Sequence, residues 1–450
     1  MIRLIYNLLL LVSLPIIASY HYFRSKSRGR RSAFRERFGL IQGTDLARIR
    51  GERVIWVHAV SVGETIASFP LLKGLRVRYP EHRLVLSNVT ETGRSVALKS
   101  GLADLCIYLP FDYRFAVKAV LQKVQPELIV LMETELWPNF IAAAAGMRIP
   151  VLLANGRISD RSFKRYLRFN WFFRPILRQL SALCMQTGED AARIEAIGAA
   201  GDFVQVTGNM KYDVPLIRLA PERVSALKGE YGIPEDTFVF TAASTHEGED
   251  EPVIDAYQGL VKAGGEQFLI LAPRHPERAQ EVAQLLGRRG IPFLLRSQLS
   301  GSARPLRGGE ALLLDTVGEL ASLYAASDLV FVGGSLVATG GHNPLEPASC
   351  GVPVLFGPHM ENFREIAALF LDAGAGLQVP DAVGLKKAVA ELAANSSSRL
   401  EMGTRGTRLL QECSGATERH LEVAAALLAG QPVGRSVSSA GKGSPAQGAP

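Results

Sequence analysis

A glycine-rich stretch in the last third of the chain carries the residue types of a nucleotide site. It spans residues 330–358 and reads VFVGGSLVATGGHNPLEPASCGVPVLFGP. A short apolar strand runs into glycine pairs, which let a backbone approach a ligand closely, and then into a helix start whose free amides favour an anion. Glu346 is predicted about one turn into that helix, where its carboxylate could accept hydrogen bonds from a ribose diol. The pattern indicates a nucleotide-activated donor rather than a dinucleotide or ATP.

Carboxylates follow two predicted strands in the front half of the chain. The strand VIWVH runs into SVGE, which places Glu64 at a glycine turn before an apolar-periodic helix. There Glu64 could take a proton from an acceptor hydroxyl as a general base, or it could cap the helix, and its position favours neither role. The strand LIVLM delivers Glu133 and Glu135 in ETELWP, where one carboxylate could hold the acceptor or stabilise positive charge on a donor sugar. Lys211, in TGNMKYD, could reach charge on a departing group.

Further strand endings carry polar groups. STHEGE, APRHPER and DTVGEL each follow a predicted strand in the back half. Arg274 is a natural phosphate partner because its charge is permanent, and the turn at Gly318 could read a base through backbone groups. Each ending alone could be a turn or a cap, but four of them, counting NPLEP, favour a donor-nucleotide site. In the front half, residues 155–157 (NGR) close another strand and could contact the acceptor.

Short apolar runs alternate with helical patterns from about Arg53 onward. Twelve runs are predicted as strands, six on either side of a proline-containing segment at 208–221: 54–58, 84–88, 128–132, 151–154, 183–185, 204–206, 238–242, 268–271, 293–295, 312–314, 329–332 and 354–356. This alternation predicts an α/β fold of two doubly wound parallel-sheet domains facing a central cleft, with ligands beyond the carboxyl ends of the strands. The predicted divisions are an N-terminal anchor at 1–23, domains at 24–215 and 216–430, and a disordered Gly/Ser/Pro/Ala-rich tail at 431–450.

Charge is distributed unevenly along the 450 residues. Residues 1–215 hold 30 Lys and Arg against 17 Asp and Glu, a net +13, whereas the remainder holds 20 against 26, a net −6. A basic front half suggests that it meets something anionic. The four cysteines stand far apart and are predicted to be reduced core residues in a cytosolic compartment, and the eight scattered histidines predict no metal site.

The N-terminal segment is predicted to anchor the chain to a membrane. Residues 4–18, LIYNLLLLVSLPIIA, are almost all apolar, and five basic residues follow them by position 31. This order is unlike that of a cleaved signal peptide and keeps the bulk of the chain in the cytoplasm. The run is short and contains Pro15, so it could lie in the interface rather than cross it. A cleaved signal or a buried core helix are the alternatives.

A second segment, residues 161–180 (RSFKRYLRFNWFFRPILRQL), mixes six basic residues with aromatic ones. This composition suits a helix lying against anionic headgroups. An ordinary surface helix with its aromatic side chains in the core fits equally well. Single-stranded nucleic acid could also bind such a segment, but no nucleic-acid-binding motif accompanies it.

Eight motifs occur in one order: HAVSVGE, METELWPN, NGRIS, TGNMKYD, ASTHEGE, APRHPER, DTVGEL and VGGSLVATGGHNPLEP. Together they resemble the Kdo transferases, the 3-deoxy-D-manno-octulosonic acid transferases of lipopolysaccharide synthesis, over residues 1–425. The resemblance implies a GT-B fold and a glycosyltransferase that moves Kdo, with inversion, from CMP-Kdo to the lipid A precursor lipid IVA. It implies no metal and no cofactor beyond the donor substrate. It also implies an anionic membrane surface as partner, no nucleic acid, and a location at the cytoplasmic face of the inner membrane.

The same resemblance assigns roles to residues at matching positions. Glu64 becomes the general base, and Glu133 and Lys211 become the groups that stabilise the transition state, although whether Glu133 or Glu135 is the working carboxylate stays open. CMP binding is assigned to Pro273, Arg274, Val317, Gly318, Glu319, Asn343, Pro344, Leu345 and Glu346. A CMP-sugar has a single phosphate, so one arginine and a helix N-terminus could balance its charge without an ion.

Two other functions remain as hypotheses. A nucleotide-sugar 2-epimerase uses the same architecture and also places a carboxylate near its donor, but it would not need the apolar N-terminus or the basic aromatic segment. A non-catalytic membrane scaffold with a degenerate transferase fold would be favoured by the loss of Glu64, Arg274 or Glu346, and all three are present. Kdo transfer is therefore the preferred hypothesis.

Overall fold

The computed structural model describes residues 2–27, 31–299, 306–431 and 433. The chain forms two compact units, one of which combines the residues up to Asp213 with those from Ser414 onward, while Val214–Cys413 form the other. The boundary at 213 lies within the dividing segment predicted at 208–221. Residues 414–430 were predicted to belong to the second domain, and the structure groups them with the first. The tail predicted at 431–450 lies almost wholly outside the described residues.

The first unit contains a seven-stranded sheet in the order β3-β2-β1-β4-β5-β6-β7. Every neighbouring pair runs parallel. The strands are β1 (Arg53–His58), β2 (His82–Asn88), β3 (Leu105–Tyr108), β4 (Leu128–Met132), β5 (Val151–Gly156), β6 (Ala182–Met185) and β7 (Val204–Val206). β3 to β6 are buried along their whole length, as expected of parallel strands covered on both faces.

Among the described residues before Asp213, the first three α-helices precede β1 and the others separate successive strands. They are α1 (Ile2–Ser27), α2 (Arg31–Arg37), α3 (Gly43–Leu46), α4 (Val62–Ala67), α5 (Phe69–Arg78), α6 (Glu91–Ser100), α7 (Arg114–Val124), α8 (Pro138–Gly146), α9 (Asp160–Arg168), α10 (Asn170–Leu177) and α11 (Gly188–Ile197). Side-chain oxygens of Ser61, Thr90, Ser159 and Thr187 accept the first free N–H groups of α4, α6, α9 and α11. These caps fix where each helix leaves the carboxyl edge of the sheet.

The second unit repeats the architecture with the strand order β10-β11-β9-β8-β12-β13-β14, again all parallel. Its strands are β8 (Phe238–Thr245), β9 (Gln267–Pro273), β10 (Phe293–Leu295), β11 (Ala311–Leu313), β12 (Leu329–Val332), β13 (Val354–Phe356) and β14 (Gly376–Gln378). Its helices are α12 (Pro221–Glu230), α13 (Asp250–Ala263), α14 (Ala279–Arg288), α15 (Arg296–Leu299), α16 (Leu320–Leu323), α17 (Leu345–Ser349), α18 (Arg364–Asp372), α19 (Ala382–Ala394) and α20 (Ser396–Cys413).

All twelve predicted strands are confirmed, and two were missed. β3 reads LCIY and β14 reads GLQ, so neither is a β-branched run long enough to stand out. Each is the edge strand of its sheet, so hydrogen bonding to a single neighbouring strand defines it. The predicted α/β fold of two parallel-sheet domains is confirmed.

The last helix of the chain, α21 (Ala416–Leu428), belongs to the first unit. Its apolar side joins the core that α5 and one face of the first sheet share, with Leu421 beside Leu71, Leu72 and Leu75. Gly74 of α5 makes this close packing possible, because a Cβ at that position would lie 2.3 Å from a Leu421 methyl group. The C-terminal helix is thus an integral part of the first domain.

The N-terminal helix α1 contacts the first unit through polar side chains. The Tyr6 hydroxyl donates to Asp112 Oδ2 at 2.9 Å, and the amides of Asn7 and Asn139 exchange hydrogen bonds at 3.3 and 2.9 Å. Tyr6 also contacts Phe172 of α10, with 5.8 Å between ring centroids. Within the described residues, no helix combines the length and the apolarity needed to cross a membrane.

Candidate active site

The turn after β1 places Glu64 in the first turn of α4. Ser61 caps this helix, because its hydroxyl oxygen accepts the Glu64 backbone N–H at 3.4 Å. The Glu64 carboxylate returns to the same turn and accepts from the Val60 N–H and from the Ser61 hydroxyl, both at 2.8 Å. Ser61 is therefore the cap of α4, and the bonds from Val60 and Ser61 hold the Glu64 carboxylate in one place at the carboxyl edge of the sheet.

The surroundings of Glu64 also suit a proton acceptor. Burial raises the pKa of its carboxyl, the hydrogen bonds from Val60 and Ser61 oppose that shift, and the negative charge of Glu133 adds to it. A carboxylate with a raised pKa holds an abstracted proton more readily near neutral pH. The structure gives the capping role to Ser61, and the fixed carboxylate of Glu64 is compatible with the predicted role as a base.

Glu133 lies directly after β4 and beside Lys211. Lys211 Nζ is 3.7 Å from Glu133 Oε1. Glu133 has a φ of +54°, which is rare for a residue other than glycine, and its N–H donates to the carbonyl of Ala154 at 2.8 Å. Such strained backbone positions concentrate at functional sites. Two residues that were predicted as a functional pair are thus brought together.

Glu135 differs from Glu133 in its surroundings. Burial, reinforced by the negative charges of Glu64 and Glu133, raises the pKa of Glu135 to about 7. Glu133, by contrast, has the ammonium group of Lys211 as a counter-charge. The structure therefore distinguishes an ion-paired carboxylate from one that exchanges its proton near neutrality.

Asn155 is buried and serves the fold rather than facing an acceptor. It ends β5 with a φ of +55° and has no exposed surface. Its Oδ1 accepts the Met210 N–H at 3.0 Å, and its carbonyl accepts from the Gln186 amide at 2.9 Å. Of residues 155–157, which were predicted to contact the acceptor, Asn155 therefore has no surface to offer and instead holds the turn that carries Lys211, while the prediction stays for the rest of the segment.

In the second unit, the glycine pair after β12 approaches protein rather than open space. The Glu249 carboxylate accepts the N–H groups of Gly334 (2.6 Å), Ser335 (2.9 Å) and Leu336 (2.9 Å). A Cβ on Gly333 would lie 2.5 Å from the carbonyl oxygen of Ser244, so glycine is needed there for chain packing. The close approach predicted between this glycine pair and a ligand is therefore an approach to protein, since the Glu249 carboxylate occupies the N–H groups of the turn. The donor contacts predicted for the segments that follow stay predictions.

The NPLEP segment forms a short helix with an accessible carboxylate. α17 begins at Leu345, so Glu346 is its second residue and not a full turn inside it as predicted. Asn343 Oδ1 accepts the Leu345 N–H at 3.1 Å, and the Asn343 amide donates to Glu346 Oε1 at 3.2 Å. Partial desolvation raises the pKa of Glu346, while the Asn343 hydrogen bond lowers it. Glu346 keeps its second oxygen for a ligand such as a diol.

Two other predicted donor segments lie at the same carboxyl edge, after β9 and β11. Arg274 is exposed immediately after Pro273, the last residue of β9. The side chain of Glu319 is held by Arg296, with 2.7 Å between nitrogen and oxygen, so it offers a ligand little beyond its backbone. Gly318 has a φ of +95° and Val317 is 83% exposed, which leaves that turn open for the backbone contacts predicted.

Three histidines that the sequence left scattered meet in the second unit. His246 Nε2 lies 2.9 Å from His342 Nε2, and the His246 and His275 rings are 5.9 Å apart. Burial lowers the pKa of both His246 and His342, the latter to about 4, and Arg274 lowers both further. Among the described residues, no His, Cys, Asp and Glu side chains form a group able to hold a metal ion.

The sequence signal for this group was available. His246, His275 and His342 each follow the carboxyl end of a strand, namely β8, β9 and β12. Arg274 and Glu346 were predicted as site residues because ligands bind beyond the carboxyl ends of parallel strands. The same rule applies to the three histidines, whose scattered spacing in the sequence excludes only a local metal-binding motif.

Comparisons with known proteins find similarity over most of the chain. Residues 32–214 match the family model for 3-deoxy-D-manno-octulosonic-acid transferase (kdotransferase). The chain is similar to the 3-deoxy-D-manno-octulosonic acid transferase of Haemophilus influenzae, with 35% identity over 425 residues, which cover 94% of this chain and 97% of that protein.

Two solved structures resemble it in fold. A glycosyltransferase from Rickettsia africae aligns over 84% of this chain and 99% of its own, with a TM-score of 0.52 and 13% identity. A UDP-GlcNAc 2-epimerase from Neisseria meningitidis, bound to UDP-GlcNAc, covers 83% of this chain and 99% of its own, with a TM-score of 0.53 and 14% identity. At these identities the two structures support the GT-B-like architecture alone.

Proposed function

The chain belongs to the 3-deoxy-D-manno-octulosonic acid (Kdo) transferase family of glycosyltransferases, and we propose that it transfers Kdo from CMP-Kdo to the lipid A precursor lipid IVA with inversion at the anomeric carbon. The observation that carries this proposal is the group formed by Glu64, Glu133, Glu135 and Lys211 at the carboxyl edge of the first sheet. A nucleotide-sugar 2-epimerase shares the architecture, but the family membership favours transfer.

In the proposed reaction, an acceptor hydroxyl attacks the anomeric carbon of Kdo and gives its proton to Glu64. The bond between that carbon and the phosphate oxygen breaks, and CMP departs with the electron pair. Glu133 stabilises the positive charge that develops on the sugar, and Lys211 balances charge on the departing phosphate. The fixed direction and raised pKa of the Glu64 carboxyl support its assignment as the base.

For the donor, we propose that Arg274 binds the single phosphate of CMP-Kdo. Glu346 accepts hydrogen bonds from the ribose, and the exposed turn at Val317 and Gly318 contacts the cytosine through its backbone. Pro273, Glu319, Asn343, Pro344 and Leu345 complete the proposed CMP-binding residues. Arginine suits this role because its guanidinium stays charged and matches phosphate geometry. We propose that no metal takes part, because one phosphate monoanion needs no second cation.

We further propose that the first domain lies on the cytoplasmic face of the bacterial inner membrane. One side of α1 exposes Leu4, Leu8, Val12 and Ile16, spaced four residues apart and each at least 60% exposed. Phe169, between α9 and α10, and Trp171 on α10 are exposed among basic residues. An apolar stripe beside a basic aromatic surface is typical of a helix that lies in the plane of an anionic membrane.

The test is a transfer assay on the purified full chain in detergent, with CMP-Kdo, lipid IVA and EDTA. Wild type and Glu64→Ala are compared, and the lipid products are weighed by mass spectrometry. The proposal expects stepwise mass gains of Kdo with wild type alone. Wild type that binds CMP yet leaves lipid IVA unchanged would show that the acceptor is wrong, and loss of activity in EDTA would refute metal independence.

A further inference from the structure

His420 on α21 lies in the interior of the first domain, in contact with Asn155 and Thr207. It is fully buried and sits in the first domain, one turn into the C-terminal helix. Its Nδ1 is 2.7 Å from the carbonyl oxygen of Ala416, and its Nε2 is 2.9 Å from the backbone nitrogen of Asn155. No step of the proposed reaction uses this histidine.

These two contacts fix the protonation of the ring. The Ala416 carbonyl can only accept, so Nδ1 carries the proton and donates it. Nε2 therefore presents its lone pair to the Asn155 N–H, and the Thr207 hydroxyl lies 3.2 Å from the same nitrogen. Burial lowers the pKa of His420 to about 4, which keeps this neutral form at physiological pH.

The segment at Asn155 holds the backbone next to both Glu133 and Lys211, the proposed catalytic pair. Its Oδ1 holds Met210, the residue before Lys211, while the neighbouring Ala154 carbonyl holds the backbone of Glu133. Because Asn155 is in the left-handed region, where asparagine is only modestly favoured, its conformation depends on the partners that surround it. The His420 ring supplies the partner for its N–H.

Two neighbours of His420 lock α21 against the same segment. Asp213, two residues after Lys211, accepts N–H groups at the start of α21 from Gly415 (2.6 Å) and Ala416 (3.2 Å). The Arg419 guanidinium donates to the Thr207 carbonyl at 2.8 Å. The start of α21 is thus hydrogen-bonded to the chain before Lys211, at Thr207, and after it, at Asp213.

We propose that His420 is a positioning residue for transfer, which acts through Asn155 to hold Lys211 within reach of Glu133. The inference rests on the proposed function, since Lys211 and Glu133 matter only if they serve the transfer. A misplaced catalytic group can cost about a hundredfold in rate, so the effect should fall on kcat. Donor binding, which the proposal assigns to the other domain, should not change.

Two amide substitutions separate the contacts of the ring. In His420→Gln the terminal amide reaches the position of Nε2 and can accept from the Asn155 N–H. In His420→Asn the shorter amide reaches only the position of Nδ1 and keeps the Ala416 contact alone. We expect kcat to fall about tenfold to a hundredfold in His420→Asn and about threefold or less in His420→Gln, with the KM for CMP-Kdo unchanged in both.

A matched control shows whether loss of a buried histidine lowers kcat in general. A second background, Lys211→Met, shows whether the loss of kcat in His420→Asn depends on Lys211. His82→Asn alters another buried histidine, at the amino end of β2, and should lower the melting temperature without lowering kcat. In a Lys211→Met background, His420→Asn should add no further loss of kcat. Equal activity of His420→Asn and wild type, or a full additional loss in the Lys211→Met background, would overturn the positioning role. A normal kcat in Lys211→Met alone would instead refute the proposed function of Lys211.

Discussion

The carboxyl edges of the two sheets share a topology and carry opposite chemistry. At the first edge, Glu64 and Glu135 are carboxyl groups with raised pKa values, so they tend to hold protons. At the second edge, His246 and His342 are imidazoles with lowered pKa values, so they tend to lose them. Burial is the main cause at all four positions, because it disfavours whichever form is charged.

This contrast runs against the overall charge of each half. The front half of the sequence is basic and the back half is acidic, yet the front edge gathers carboxylates and the back edge gathers arginine and histidine. The net charge of each half reflects mainly the surface that faces a membrane or solvent. The reactivity of each site depends instead on the few ionisable groups at the carboxyl ends of its strands. Four substitutions or titrations can test how far the two edges differ.

The largest effect is expected at the first edge. Glu64→Gln should lower kcat about a thousandfold, because the amide keeps the shape of the side chain but cannot accept the acceptor proton. The KM for CMP-Kdo should stay within about twofold of the wild-type value, since the effect belongs to the chemical step. Initial rates at saturating acceptor measure both constants. A kcat within tenfold of wild type would leave Glu64 only a structural role in the turn before α4.

Substitutions at the carboxyl edge of the second sheet should change donor binding rather than kcat. Arg274→Ala should raise the KM for CMP-Kdo about 10- to 100-fold, the cost of one charge-assisted phosphate contact. Arg274→Lys should restore only part of the affinity, because an ammonium group cannot form the paired contacts of a guanidinium. Donor titrations at fixed acceptor give the comparison. An unchanged KM in Arg274→Ala would place the phosphate elsewhere.

Glu135 should make the stability of the protein depend on pH. Between its ordinary pKa of 4.5 and its folded value of about 7, the folded chain keeps a proton that the unfolded chain releases. Stability should therefore fall as the pH rises through that window and level off above it. Glu135→Gln has no proton to lose, so its melting temperature should fall less between pH 5 and pH 8, by a few degrees. Parallel pH curves for the two proteins would contradict the raised pKa.

The smallest effect is expected from the histidines. His342, with a pKa of about 4, is neutral throughout pH 6–8, and so its charge cannot change donor binding there. The KM for CMP-Kdo should vary less than about twofold across that range, and His342→Gln should follow the same profile. A steep rise in KM with pH that disappears in His342→Gln would show that the pair is charged in the working enzyme.

The sequence predicts the fold well because parallel strands buried on both faces must be continuously apolar. All twelve predicted strands are present, whereas the three-residue β14 depends on pairing with β13 rather than on its own composition. The glycine turn after β12 was correctly placed, but the close approach predicted there was to a ligand. The Glu249 carboxylate accepts its N–H groups instead, and this acceptor comes from a segment about 85 residues earlier that the sequence pattern does not connect to the turn.

The positions of Glu64 and Glu133 followed from a rule about strand ends, and Lys211 was placed at the domain junction; Glu133 and Lys211 do meet. The sequence left open whether Glu133 or Glu135 is the working carboxylate, and the structure shows that Glu133, with its unusual backbone conformation, is the one beside Lys211. His420 could not be found this way. It lies on a helix rather than at a strand end, and its contacts with Asn155 and Thr207 span more than two hundred residues of chain.

The return of α21 to the first domain makes the second domain a single uninterrupted insertion between Asp213 and Ser414. The two ends of that insertion lie close together, because the Asp213 carboxylate accepts a hydrogen bond from the Gly415 N–H. Such an insertion can be exchanged at the gene level with two cuts, provided that the incoming domain also has adjacent termini. The architecture therefore lets the half assigned to donor selection evolve as a cassette, while the half assigned to the acceptor keeps its own fold.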